Sequence, residues 1–177
     1  MSRFTAPDVG TLPTEARDIL GVTEKRLGFV PNMHRLMALS PVLLRAVTQY
    51  QAEMSKALDA KTRHGIALAV TEVNGCEYCR AAHSYYATTL GKMSYDEVAN
   101  NLAGHSEDPK RSAAIAFAKK VAELRGKVSE SDLADVRGAG YTDPQILEIV
   151  GLAVQFLLTN FINNVAQTEP EFPDEAD

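Results

Sequence analysis

Tryptophan is absent from this 177-residue chain, aromatic residues make up only 7% of it, and cysteine occurs twice. Two cysteines are too few for a disulfide-stapled scaffold, so the fold must rest on a buried apolar core, which this length can supply. So small an aromatic content favours an oligomer built on helices over a lone small domain. There is no basic excess either: 18 Lys and Arg face 23 Asp and Glu, with a pI near 5.4. That balance excludes the positive stripe of a general nucleic-acid binder and does not favour an anionic membrane surface. Residues 1–8 lack a basic start followed by an apolar run, so no signal peptide is expected. The most apolar stretch, Ile146 to Leu158, is short for a bilayer and carries Glu148 and Gln155. With these absences a cytoplasmic location is the default expectation. No alternating strand pattern bounded by turn signals occurs anywhere in the chain.

What is present is ordinary for a folded domain, 45% apolar and 23% charged residues. The formal charge of −5 is unevenly placed. Glu169, Glu171, Asp174, Glu175 and Asp177 fall within the last nine residues without a compensating base, leaving 18 charges of each sign elsewhere. The chain therefore divides into one helical domain, 1–168, and an acidic, proline-containing tail, 169–177. Solvation is the expected state of such a tail. Pro170, Phe172 and Pro173 leave room for it to dock in extended form on a neighbouring subunit.

Helix punctuation accounts for nearly every segment. Pro13-Thr14 opens a helix to Leu27, and Asn32 caps a short one to Leu39. Ser40-Pro41, with proline at the first helical position, starts another that runs to Leu58. Asp59 caps a helix with a mostly buried surface, which Asn74-Gly75 interrupts. The next runs from about Cys76 to Leu90, with Gly91 as a left-handed stop. Capping boxes at Ser94/Glu97 and Thr142/Gln145, the Asp108-Pro109 start and Ser129 to Asp132 open the remainder. The last helix, Gln145 to Ala166, is apolar on nearly all sides, so it is either central to the domain or shared with another subunit. The expected class is all-α.

Chemistry concentrates in Glu72-Val-Asn-Gly-Cys76-Glu-Tyr-Cys79-Arg-Ala-Ala-His83. Two cysteines scattered at random in this length would fall three apart only about once or twice in a hundred tries, so the pair reads as a unit. On a helix Cys76, Cys79 and His83 share one face. That register permits a disulfide and sets an imidazole beside the second thiol. The helix N-terminus acts most on Cys76, whereas His83 serves as a base for Cys79. A zinc site would need a fourth ligand from His34, His64 or His105, and a structural disulfide in a reducing compartment would close only a tiny loop.

The run from Asn74 to His83 resembles the signature of the AhpD-like alkylhydroperoxidases in the carboxymuconolactone decarboxylase superfamily. The likeness extends through Ala114 to Ala118, Val136 to Asp143 and Thr159 to Ala166, and includes the proline-containing tail of the peroxidase-related subgroup. It implies an AhpD-like all-helical homo-oligomer and a thiol peroxidase mechanism with no metal, haem or other cofactor. In that mechanism Cys79 attacks a small hydroperoxide, Cys76 condenses with the sulfenic acid, His83 assists thiolate formation, and an unidentified dithiol restores the pair. Where the better-studied relatives carry a proton-relaying Glu, this chain has His64. The relay is expected either from His64 or from Glu72, four residues before Cys76. Tyr78 stands where those relatives carry His. Two other readings remain, a carboxymuconolactone decarboxylase type of enzyme, whose members generally lack the cysteine pair, and a non-enzymatic thiol redox sensor. Asn160, Asn163 and Asn164 are expected to solvate a helix end, to line the site or to cap an inter-subunit contact. His34, His105, Met33 and Met37 are expected in packing or at the surface.

Overall fold

The computed structural model describes residues 2–172. Among these the elements are a short 3₁₀ turn, Val9–Thr11, and nine helices: α1 Thr14–Leu27, α2 Asn32–Met37, α3 Pro41–Met54, α4 Ala60–Asn74, α5 Glu77–Thr89, α6 Tyr95–Ala103, α7 Pro109–Glu123, α8 Glu130–Gly138 and α9 Asp143–Ala166. Side-chain caps start them where the sequence indicates. Asp59 accepts the Thr62 N–H at 3.0 Å and Asp108 that of Arg111 at 2.7 Å, each satisfying an amide left over by the first turn. Ser129 and Asp132 close a full capping box.

Several boundaries differ from the sequence reading, each for a local reason. Asn32 is not a cap, because Pro31 holds the extended backbone and Asn32 is already helical. α3 stops at Met54, and Leu58 is left-handed at φ 48°. Glu97 does not return to the Ser94 backbone. It accepts the Glu107 N–H at 3.0 Å and pairs with Arg111, fastening the α6–α7 connection instead. Gly91 is not the left-handed stop either; Lys92 is, at φ 52°. A side chain at Gly91 would meet the Ala87 carbonyl at 2.6 Å and His64 Cδ2 at 3.2 Å, so what this position needs is close approach.

α4 is the hub, packed on α5, α6, α7 and α9. Every residue from Gly65 to Thr71 is buried. Its Ile66, Ala69 and Val70 join Ile115, Ala118 and Val121 of α7 and Ile149, Leu152 and Phe156 of α9 in the main core. A second cluster gathers Ala16, Leu20, Met33, Met37, Leu44 and Val47 from α1–α3 around Cys76, Tyr78, Cys79 and Ala82 of the α5 region. The dithiol therefore sits between the N-terminal helices and the C-terminal half of α9.

α9 meets the expectation of a helix central to the domain on one side only. One side is core, and the other exposes Leu147, Val154, Leu158, Phe161 and Val165. At 24 residues it is long and apolar enough to cross a bilayer, which its shorter apolar run does not suggest. Its inner side nevertheless buries Gln155, Asn160 and Asn163 and packs along α4 and α7. The acidic tail also departs from the solvated expectation in its described part. Phe172, 8% exposed, packs edge-on against the rings of Phe29, Tyr78 and Tyr86, within its own chain. Asp174, Glu175 and Asp177, with Pro173, lie outside the described residues.

Candidate active site

Gly75 sets up the site. Its φ of 57° ends α4 in a left-handed turn that L side chains rarely adopt, and the chain re-enters helix with Cys76 as N-cap. The Cys76 sulfur then fills the place usually taken by a Ser or Asp oxygen and accepts the Cys79 N–H at 3.3 Å. Both thiols are free and buried, at 1% and 3% exposure.

The two sulfurs have different electrostatics. Cys76 is held below the usual thiol range, first by a hydrogen bond from the Cys79 thiol and also by the Cys79 N–H, against burial. Cys79 is pushed up, chiefly because its proton is shared with Cys76, and further by burial beside the Cys76 charge. Asn163 Nδ2, 3.3 Å from Cys79 Sγ, and Asn160 act in the opposite sense and favour charge on Cys79. The pair thus loses one proton readily and keeps the other, as two adjacent buried thiols must.

Surroundings differ as sharply. Cys79 lines a cavity of about 250 Å³ with Met33, Tyr78, His83, Tyr86, Phe156 and Phe172. Cys76 lines a separate one of about 460 Å³, walled by Glu77, Asn163, Asn164, Gln167, Thr168 and Glu169. The first is mostly apolar and aromatic, the second polar.

His83 and His64 share the Cys79 cavity and also line a smaller one of about 170 Å³ with Met54, Ser55 and Arg63. Burial, aided by the neighbouring His64, pushes the His83 imidazole down to about 3, and its ring meets Phe156 edge-on with centroids 5.1 Å apart. His64 is lowered by burial and by Arg63. Both are neutral near pH 7. Glu72 is not brought to the site. The Gly75 turn breaks the collinearity such a relay requires, and Glu72 stands at the surface, paired with Arg80 at 3.6 Å. Of the two candidates for the relay position, only His64 reaches the cavity.

The asparagines were readable as a cluster, but not as a set of partners. Asn160 donates to Thr71 Oγ1 at 3.1 Å and accepts from Asn74 Nδ2 at 3.0 Å, and Asn164 donates to the Asn74 carbonyl at 2.9 Å. They bolt the end of α9 to the α4–α5 turn, which is where the thiols are, rather than solvating a helix end. Tyr78 ties three segments together: its oxygen accepts the Met33 N–H at 3.2 Å and its O–H donates to Glu171 at 3.1 Å. His34 was expected in packing or at the surface; it is buried and lines the Cys79 cavity, whereas His105 is exposed. Among the described residues no three His, Cys, Asp or Glu side chains converge as a metal ion would need.

A buried dithiol on a helix N-terminus, flanked by a neutral histidine pair and held in an all-helical bundle, defines a candidate thiol–disulfide redox protein. Residues 41–124 match the carboxymuconolactone decarboxylase family. No curated protein matches the sequence. Among solved structures it is similar to an AhpD-core, uncharacterized peroxidase-related protein from Ralstonia eutropha JMP134, at 26% identity over 96% of this chain and 92% of that one, with a TM-score of 0.86. It is also similar to an uncharacterized peroxidase-related protein from Silicibacter sp. TM1040, at 22% identity, with the same coverage and a TM-score of 0.83. A cysteine-to-alanine variant of the debrominase Bmp8, in complex with 2,3,4-tribromopyrrole, shares the fold at 19% identity, covering 97% of this chain and 94% of that one, with a TM-score of 0.82.

Proposed function

We propose that this protein is a thiol-dependent reductase of small organic hydroperoxides, with Cys79 as the attacking sulfur. The observation that carries this reading is that Cys79 lines the apolar cavity, with Asn163 at its sulfur, while its partner thiol is one turn away and in contact. Cys76 is the thiol held low and Cys79 the one pushed up, so attack begins with transfer of the shared proton from Cys79 to Cys76. The Cys79 thiolate takes the distal oxygen of ROOH, the O–O bond breaks, and the departing alkoxide leaves as ROH after receiving a proton. Cys76 then attacks the Cys79 sulfenic acid, expelling water and forming the disulfide. An external dithiol returns two electrons, its thiolate reaching Cys76 from the polar cavity.

His83 is too weak a base to hold the proton for long, but as a neutral imidazole lining the same cavity it passes one between the thiol, the alkoxide and His64. Free thiols of this kind suit a reducing compartment, the cytoplasm. The outer side of α9, with Leu147, Val154, Leu158, Phe161 and Val165 at heptad-like spacing, is the surface through which copies of the chain assemble. Phe161→Glu is expected to lower the mass measured by sedimentation.

The test of function is stoichiometric oxidation of the reduced protein by cumene hydroperoxide, followed by intact mass. Loss of two hydrogens with release of one alcohol per chain is expected. Unchanged thiols after all added hydroperoxide has been exposed to the protein would overturn the reading. The aromatic walls of the Cys79 cavity favour one second reading, reductive dehalogenation of an aryl halide. There the Cys79 thiolate would take the halogen, the ring carbon would take a proton, and Cys76 would displace halide to give the same disulfide. Halide release from a bromopyrrole, without reaction toward hydroperoxide, is the outcome that selects it.

A further inference from the structure

Four polar atoms of the Cys79 cavity residues are shut off from solvent and have no hydrogen-bond partner: both ring nitrogens of His34, Tyr86 Oη and Gln155 Oε1. They come from α2, α5 and α9, three separate helices. His34 is 4% exposed and Gln155 8%. Gln51 lies close enough to His34 to favour its charged form slightly, yet meets neither nitrogen in hydrogen-bond geometry. Stranding even one such group is costly, and nearly all buried polar groups in proteins are paired. Three residues that line one cavity with the reactive sulfur carry such atoms, and none takes a step in the peroxide chemistry, which uses Cys79, Cys76, His83 and His64.

We propose that His34, Tyr86 and Gln155 form a recognition subsite for a hydroxyl group on the body of the substrate, which is a hydroxylated aromatic hydroperoxide. The inference rests on the reading of Cys79 as the attacking sulfur and adds what the rest of the cavity binds. The donor and acceptor inventory selects the group. Gln155 Oε1 only accepts, Tyr86 both donates and accepts, and a neutral His34 offers one N–H and one acceptor nitrogen. A hydroxyl satisfies such a set by donating to Gln155 and accepting from Tyr86 or His34. A carboxylate leaves Gln155 stranded. Size and lining select the body: 250 Å³ exceeds the roughly 150 Å³ that holds a benzene in an engineered apolar cavity, and Phe156, Phe172, Tyr78 and Met33 offer ring and thioether contacts. One ring with a few attached atoms fits, whereas hydrogen peroxide would leave the cavity largely unfilled.

The test uses redox-inert product analogues, so that binding is read separately from turnover. Cumyl alcohol and its para-hydroxy derivative are titrated calorimetrically into the reduced full-length protein. The para-hydroxy compound is expected to bind about tenfold more tightly, the worth of one well-made buried hydrogen bond. Tyr86→Phe and Gln155→Leu are expected to erase that advantage and leave cumyl alcohol binding unchanged. The same variants, lacking an unpaired polar atom, are expected to raise the melting temperature of the unliganded protein. Equal affinity of the wild type for the two alcohols overturns the subsite, as does an advantage that survives in both variants. A lowered melting temperature together with weaker binding of both alcohols would assign the residues to structure alone. Turnover of the two matching hydroperoxides separates this result from the reading it rests on. If neither hydroperoxide oxidises Cys79 while the alcohols are still discriminated, the reductase reading falls and the subsite stands.

Discussion

The two sulfurs of one short motif occupy unlike environments. Cys76 caps a helix, is held below the usual thiol range and borders a polar cavity; Cys79 is pushed up, meets Asn163 and borders an aromatic one. On the proposed reading, an easily ionised sulfur beside one that meets substrate separates storage of the thiolate from its use. On that reading organic substrate and reductant have different doors, the aromatic cavity and the polar one.

Exchanging the sulfurs one at a time breaks this comparison most severely. Cys79→Ser is expected to remove peroxide turnover by more than ~10³-fold, since no other group can take the oxygen. Cys76→Ser should lose reductant-driven turnover to a similar extent while leaving a sulfenic acid on Cys79 that a dimedone-type reagent traps. A sulfenic acid trapped on Cys76 in Cys79→Ser, with turnover intact, would reverse the assignment of the two sulfurs.

The next largest effect isolates the polar support of one sulfur. Asn163→Leu keeps side-chain volume but deletes the donor 3.3 Å from Cys79 Sγ. A hydrogen bond to a charged acceptor contributes ~1.5–3 kcal/mol, so single-turnover oxidation should slow by about 10- to 100-fold. In the Cys79→Ser background, alkylation of Cys76 should not change with the same substitution. Equal slowing at both sulfurs would mean that Asn163 acts on the helix end as a whole.

How much of this was legible beforehand depends on the range of the interaction concerned. Caps and breaks are local, so Asp59, Gly75, Asp108 and Ser129 announce their helices, and the Cys76, Cys79, His83 register follows from one helical turn. Glu72 was misplaced because its proposed role assumed two collinear helices, and a single positive φ at Gly75 removes that assumption. His34 and Phe172 could not be read at all. They reach the cavity through contacts between distant parts of the chain, with Glu171 meeting Tyr78 across 93 positions. No periodicity encodes such a pairing. Asn163 lay between these cases: its polarity inside an apolar helix was visible, and its partner was not.

Protonation tests the aromatic side of the comparison. Burial, with the help of Arg26, holds His34 down to about 4, and burial with His64 holds His83 down to about 3. Both are below the ordinary imidazole value, so the unfolded chain binds more protons between roughly pH 6.5 and those values, and stability falls as the pH is lowered through that window. At pH 5 each histidine is expected to cost about 2 kcal/mol relative to neutrality. Chemical denaturation between pH 7 and pH 5 should show the loss, and His34→Leu should remove about half of the slope. A pH-independent stability over this range would show that neither imidazole is sequestered.

The smallest effect concerns the residue standing between the sulfurs. Tyr78 borders both cavities, and its hydroxyl links the Met33 amide of α2 to the Glu171 carboxylate of the C-terminal segment. Tyr78→Phe keeps the ring packed on Phe172 and removes only the link, for a net stability loss of ~0.5–1.5 kcal/mol. The local consequence should exceed the global one, because residues 169–170 form part of the wall over Cys76. Iodoacetamide should therefore alkylate Cys76 several-fold faster in Tyr78→Phe, with Cys79 changing less because Phe172 still packs beside it. Glu171→Gln retains an acceptor oxygen for Tyr78 and is expected to fall between the wild type and Tyr78→Phe. Equal acceleration at both sulfurs would show that the link secures α2 and the tail together, and that the two doors open as one.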